Sequence, residues 1–64
     1  MTQVIIKNRV DQTEQIERFT YYIDAITFFF HWCAKHDYEF QTNWTGYTTT
    51  GLNDYQVQLI KPNL

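Results

Sequence analysis

His31, Cys33 and His36 crowd into the stretch HWCAKH, and imidazole and thiol groups so close together invite two kinds of chemistry, a metal centre or a thiolate nucleophile with an imidazole base. Neither survives a helical reading of the segment. On a helix, His31 and His36 point about 140 degrees apart, so they do not converge on one ion. Cys33 with His36 supplies half of the ligands a structural zinc requires. Cys33 also falls in the last helical turn, on the apolar side, where the helix dipole opposes a thiolate. It therefore reads as a small core residue, and His36 as a donor to the free carbonyls of the helix end. Glu14 and Glu17 sit nearly side by side, yet no second carboxylate faces them across a cleft, so they read as cap and solvated residues. Gly46 and Gly51 are isolated in a threonine-rich turn and do not form a phosphate-cradling loop. The expectation is a protein that is not an enzyme, with no metal and no cofactor.

The elements that would position these groups are few. A chain of 64 residues is one small domain, which buries only about 60% of the surface exposed by its unfolded form. Its single cysteine cannot cross-link it internally, which favours a reducing compartment. Neither a secretion signal nor an apolar run of membrane-spanning length is visible, so a soluble, cytoplasmic protein without a membrane partner is expected. On that view the glycosylation pattern Asn43-Trp44-Thr45 is coincidental. The net charge of −2 comes from scattered residues, too weak for a phosphate-binding surface or a mimic of nucleic acid. Aromatic residues, at 19%, are the unusual feature.

VIIKNRV, with Val4, Ile6 and Val10 on one side, predicts a strand over about 3–10. DQTE follows, in which Asp11 and Glu14 form the acidic variant of a capping box, and neither glycine nor proline interrupts the chain from Asp11 to Thr45. A helix over about 12–36 is therefore expected, closed by Asp37. YEFQTNW alternates, with Tyr38, Phe40, Thr42 and Trp44 on one side, and predicts a strand over 38–45. A loop over 46–54 leads to a last strand over 55–61 with Tyr55, Val57 and Leu59 inward. Pro62 would end it and leave a frayed tail. The result is an α+β domain of order β-α-β-β, with one long helix packed by a right-handed crossover on a three-stranded mixed sheet.

Rotating each helical residue by about 100 degrees gathers Ile16, Phe19, Ile23, Ile26, Phe30 and Cys33 into one apolar stripe, expected to face the sheet. Tyr21, Ala25, Phe28 and Trp32 form a second stripe, bordered by Arg18 and Lys35. A three-stranded sheet covers one stripe, so the second either lies under the 46–54 loop or the tail, or is a contact surface rich in the residues that dominate interface energetics. The polar outer sheet face, with Lys7, Arg9, Glu39, Gln41, Asn43, Gln56 and Gln58, and the sheet edges are lesser candidates.

The expected function is a small protein-binding module that docks the aromatic helix face, or a sheet edge, on a larger host protein. By analogy of size and build, it would act as a phage or mobile-element inhibitor of a host enzyme such as a defence nuclease or RNA polymerase. One alternative is a structural homodimer. Another is a single-stranded nucleic-acid binder that stacks bases on Tyr21, Phe28 and Trp32, although Arg18 and Lys35 make a thin cationic border for a nucleic acid.

Overall fold

β1 (Thr2–Asn8) alternates as its sequence demands, with Thr2, Val4 and Ile6 buried. The chain then turns back at once. Asn8 Oδ1 accepts from the N–H of Val10 at 2.9 Å and of Asp11 at 3.4 Å, and Asp11 Oδ1 accepts from Thr13 N–H at 3.0 Å and Thr13 Oγ1 at 2.6 Å. Gln12 takes a left-handed φ of 59° to complete the reversal. The acceptor chemistry of Asp11 is thus used to build a turn rather than to cap a helix. β2 (Thr13–Phe19) pairs antiparallel with β1, from Asn8 opposite Thr13 to Thr2 opposite Phe19. The expected helix over 12–36 is corrected accordingly: its first third is strand, and Val10 lies exposed in the turn.

α1 (Tyr22–His36) starts after Tyr21, whose backbone is extended and whose side chain makes no cap. Asp37 closes it in the left-handed region at φ 58°, donating its N–H to Ala34 C=O at 3.3 Å, while Tyr38 N–H reaches Cys33 C=O at 2.9 Å. β3 (Phe40–Asn43) and β4 (Gly46–Thr49) form a second hairpin, and β5 (Tyr55–Ile60) completes the sheet. Asn43 Oδ1 fixes the β3–β4 turn by accepting from Thr45 N–H at 3.0 Å, Thr45 Oγ1 at 3.0 Å and Gly46 N–H at 2.8 Å.

The computed structural model describes residues 1–61, and the expected effect of Pro62 and the tail lies outside them. Its five strands run in the order β2-β1-β5-β4-β3, with every neighbouring pair antiparallel. The expected three-stranded mixed sheet and its crossover are therefore overturned. β1 and β5 meet antiparallel at the centre, and the segment expected as a loop over 46–54 contributes β4. At the end of the β4–β5 ladder, Thr49 is buried because its hydroxyl accepts the Val57 N–H at 3.0 Å in place of a backbone carbonyl.

The core lies between the sheet centre and one side of α1, where Val4, Ile6, Val57 and Leu59 meet Ala25, Phe29 and Cys33. On the helical wheel, Phe29 bisects the two stripes read from the sequence. Neither stripe is the core face. Each is a flank of one broad apolar arc, and the width of the sheet makes this possible. With strands about 4.8 Å apart, five of them extend beyond both sides of a helix about 10 Å across. Phe30 on one flank stacks on Phe40 of β3, and Phe28 on the other packs on Phe19 of β2.

Candidate interaction site

On the β2 flank the two rings nearest the solvent, Phe28 and Trp32, stand one helical turn apart and are each half-buried. Phe28 is held by Phe19 at a ring distance of 5.4 Å. Trp32 is held harder. It stacks on His36 at 3.9 Å and 25°, and meets the edges of Tyr38 at 5.4 Å and Tyr55 at 5.5 Å. Rings fixed on several sides lose little further freedom when a ligand covers their remaining surface. With His31 and Lys35 from the next positions around the helix, they line an open groove of about 270 Å³. Its lining is aromatic at Phe28 and Trp32, with the cation of Lys35 beside them.

The structure divides the six residues expected at the contact surface. Phe28, Trp32 and Lys35 come together in the groove, joined by the unanticipated His31. Ala25 is completely buried in the core and leaves the surface. Tyr21 is 66% exposed, but lies on the extended backbone before the helix. Arg18 belongs to β2, not to the helix, and its neighbour Glu17 is the residue opposite inward-facing Val4, so Arg18 lies on the opposite face of the sheet. Arg18 and Tyr21 leave the helix face because residues 13–19 form β2 and α1 begins at Tyr22, whereas Ala25 is covered because the sheet has five strands.

A second aromatic cluster, with no counterpart among the residues expected at a contact surface, lies on the other flank of α1. Phe29, Phe30, Phe40 and Tyr47 form a continuous set of ring contacts, the closest being Phe30 on Phe40 at 5.0 Å and 22°. Its outer members Phe30 and Phe40 are exposed in part. Beyond them Trp44 is 100% exposed at the tip of the β3–β4 hairpin, and Leu52 is equally bare in the β4–β5 connection. The sequence carried a signal for Trp44 in its place between Asn43 and Gly46, both turn residues.

Three titratable groups away from the groove are shifted by their surroundings. Burial pushes the Cys33 thiol up to about 11 and keeps it a protonated core residue. Tyr22 is also raised, by burial first and by Tyr47 second, while Asp11 is lowered, first by the hydrogen bond from the Thr13 side chain. Among the described residues, no three His, Cys, Asp or Glu side chains are placed to hold a metal ion, and no helix is long and apolar enough to cross a membrane.

No protein-family model, curated protein or solved structure matches this chain. The functional reading therefore rests on the surface itself.

Proposed function

We propose that this chain is a non-enzymatic protein-binding module that docks the groove lined by Phe28, His31, Trp32 and Lys35 on a larger protein. The observation that carries the reading is the pair of rings lining the groove, already immobilised yet left half-open. Tryptophan in a walled position is the residue type most enriched among interface hot spots. The Lys35 cation adds a preference for a partner segment that presents an apolar side chain next to a carboxylate. A host enzyme bound in this way would be inhibited by occlusion, as expected of a small phage or mobile-element inhibitor, and the single, buried Cys33 suits a cytoplasmic setting. A single-stranded nucleic acid fits the groove less well, because stacking platforms come with a basic track and Lys35 is the one lysine or arginine that lines it.

The test is capture from host lysate on immobilised wild-type protein and on three folded variants: Phe28→Ser/Trp32→Ser, His31→Asp/Lys35→Glu, and Trp44→Ser as a control on the distant hairpin. The expected result is one large protein retained by the wild type and by Trp44→Ser and lost by both groove variants, with affinity for it falling at least about 30-fold, the scale of a hot-spot truncation. Retention that is indifferent to both groove variants refutes the reading.

A further inference from the structure

We propose that β2 is a self-association edge, along which two copies of this chain join antiparallel about Ile16 to make one continuous sheet. β2 is seven residues long and forms one margin of the sheet, and no described strand pairs with its outer side. Of the usual protections of such an edge, TEQIERF carries charge, at Glu14, Glu17 and Arg18, but neither proline nor a bulge, and those charges decide which register two copies can share.

The direction of its backbone groups follows from the ladder. Arg9 donates its N–H to Asp54 C=O at 2.7 Å, so the odd-numbered residues of β1 bond towards β5 and the even-numbered ones towards β2. Because Asn8 opposes Thr13 and Val4 opposes Glu17, the odd-numbered residues of β2 use their groups on β1. Glu14, Ile16 and Arg18 therefore aim their N–H and C=O outward, at the edge.

A two-fold axis perpendicular to the sheet at Ile16 brings these same residues together. Ile16 meets the second copy's Ile16, and Glu14 meets its Arg18 on either side, each as a directly hydrogen-bonded pair. Gln15 meets Glu17 on the helix-side face, the combination that already forms within one strand at 2.6 Å. Competing registers lack this charge match. Centring on Gln15 places Glu14 opposite Ile16. Centring on Glu17 puts two carboxylates face to face, and centring on Glu14 or Arg18 also pairs like charges. The strand is thus self-complementary in one register, and a second copy is the occupant that reads it.

The outer sheet face gives independent support. Ile16, which is 40% exposed, sits opposite Ile5 on that face, and Ile60 lies diagonally beyond, opposite Gln3. Joining two β2 strands would run this isoleucine row across the junction and cover the exposed side of Ile16. The dimer uses the edge and not the aromatic groove, so it stands or falls separately from the function proposed above.

Sedimentation velocity over a dilution series, with circular dichroism as the fold control, tests it. The wild type is expected to approach twice the 7.8 kDa chain mass as concentration rises. Glu14→Arg, which sets arginine against Arg18, is expected to hold at one chain, and Glu14→Arg/Arg18→Glu to return to two. Ile16→Pro removes an outward N–H without touching the β1 ladder and is also expected to be monomeric. A wild type that remains one chain throughout overturns the proposal. So does a dimer that survives Glu14→Arg, or one lost on Phe28→Ser/Trp32→Ser while β2 is intact.

Discussion

Replacing Gly46 by alanine is expected to cost far more than the same change at Gly51, although both glycines look like turn residues. Gly46 opens β4 at φ +149°, and a Cβ built there would lie 2.0 Å from the Leu59 carbonyl oxygen, where real contacts essentially never fall below 3.0 Å. The obstacle is backbone, so relief requires β4 to retreat from β5 by about 1 Å. That displacement strains the ladder that pairs Gly46 with Ile60 and Tyr47 with Leu59, as well as the 2.7 Å bond from Lys61 N–H to Thr45 C=O. Two or three weakened hydrogen bonds at about 1 kcal/mol each, with about 1–2 kcal/mol for the left-handed backbone, give a loss of roughly 3–5 kcal/mol. A chain of this length has a total of only about 3–10 kcal/mol to lose. Gly51, at φ +87°, has Asn53 Nδ2 as its nearest neighbour at 3.6 Å, so its alanine variant meets the conformational cost alone, about 1–2 kcal/mol. In urea unfolding followed by far-ultraviolet circular dichroism, with a slope near 1 kcal/mol/M, Gly46→Ala should lower the midpoint by about 3–5 M or abolish the folded baseline. Equal effects of the two substitutions would refute the close approach of β4 to β5 and the register that rests on it.

Two further outcomes follow from buried and exposed side chains. Because burial raises the Cys33 thiol from 9.0 to about 11, the folded chain keeps a proton that the unfolded chain releases, so this contribution to stability is full below about pH 9 and is lost as pH rises to about 11. Urea midpoints measured across that range should fall less steeply for Cys33→Ala than for the wild type, and parallel slopes would reject the assignment. The two tryptophans should also separate spectroscopically, since Trp44 is wholly exposed and Trp32 is packed among His36, Tyr38 and Tyr55. Trp44→Phe should leave emission that is bluer and less readily quenched by acrylamide than the solvent-like emission left by Trp32→Phe; the reverse order would contradict both placements.

What the sequence revealed and what it concealed differ in a physical way. β1 and β5 were legible because Val4 and Ile6, and Val57 and Leu59, alternate with polar residues on a strand half buried in the core. The end of α1 was legible because its register ran out at Asp37, which closes it. β2 was hidden because it is a margin strand: TEQIERF places Ile16 towards solvent and Gln15 and Glu17 towards the helix side, so its inner face carries no apolar period. Its glutamates, glutamine and isoleucine also tolerate a helix, and only the turn built by Asn8 and Asp11 decides against one. β4 was hidden for another reason. Gly46 reads as turn punctuation, but a glycine within a strand also marks the place where a neighbouring backbone comes too close for a Cβ. Reading β2 as helix draws Arg18 into the contact surface, and the two apolar stripes of the wheel become one broad face because five strands, not three, lie beneath the helix.

That broad face links the two proposed surfaces. A two-fold axis perpendicular to the sheet keeps both helices on the same side, so a dimer joined through β2 presents two copies of the Phe28–Trp32 groove in one direction. The groove borders the β2 half of the sheet, through the contact of Phe28 with Phe19, so the two sites would be near neighbours across the axis. Two grooves held rigidly in this way would bind a two-fold symmetric partner with a high effective concentration, and a monomeric partner with one groove at a time. Such a dimer would select among partners without altering the groove. A variant confined to one chain by Glu14→Arg would retain single-site affinity and lose only the gain from engaging both sites. A loss of single-site affinity in that variant would instead place β2 inside the binding surface and make the two proposed sites one.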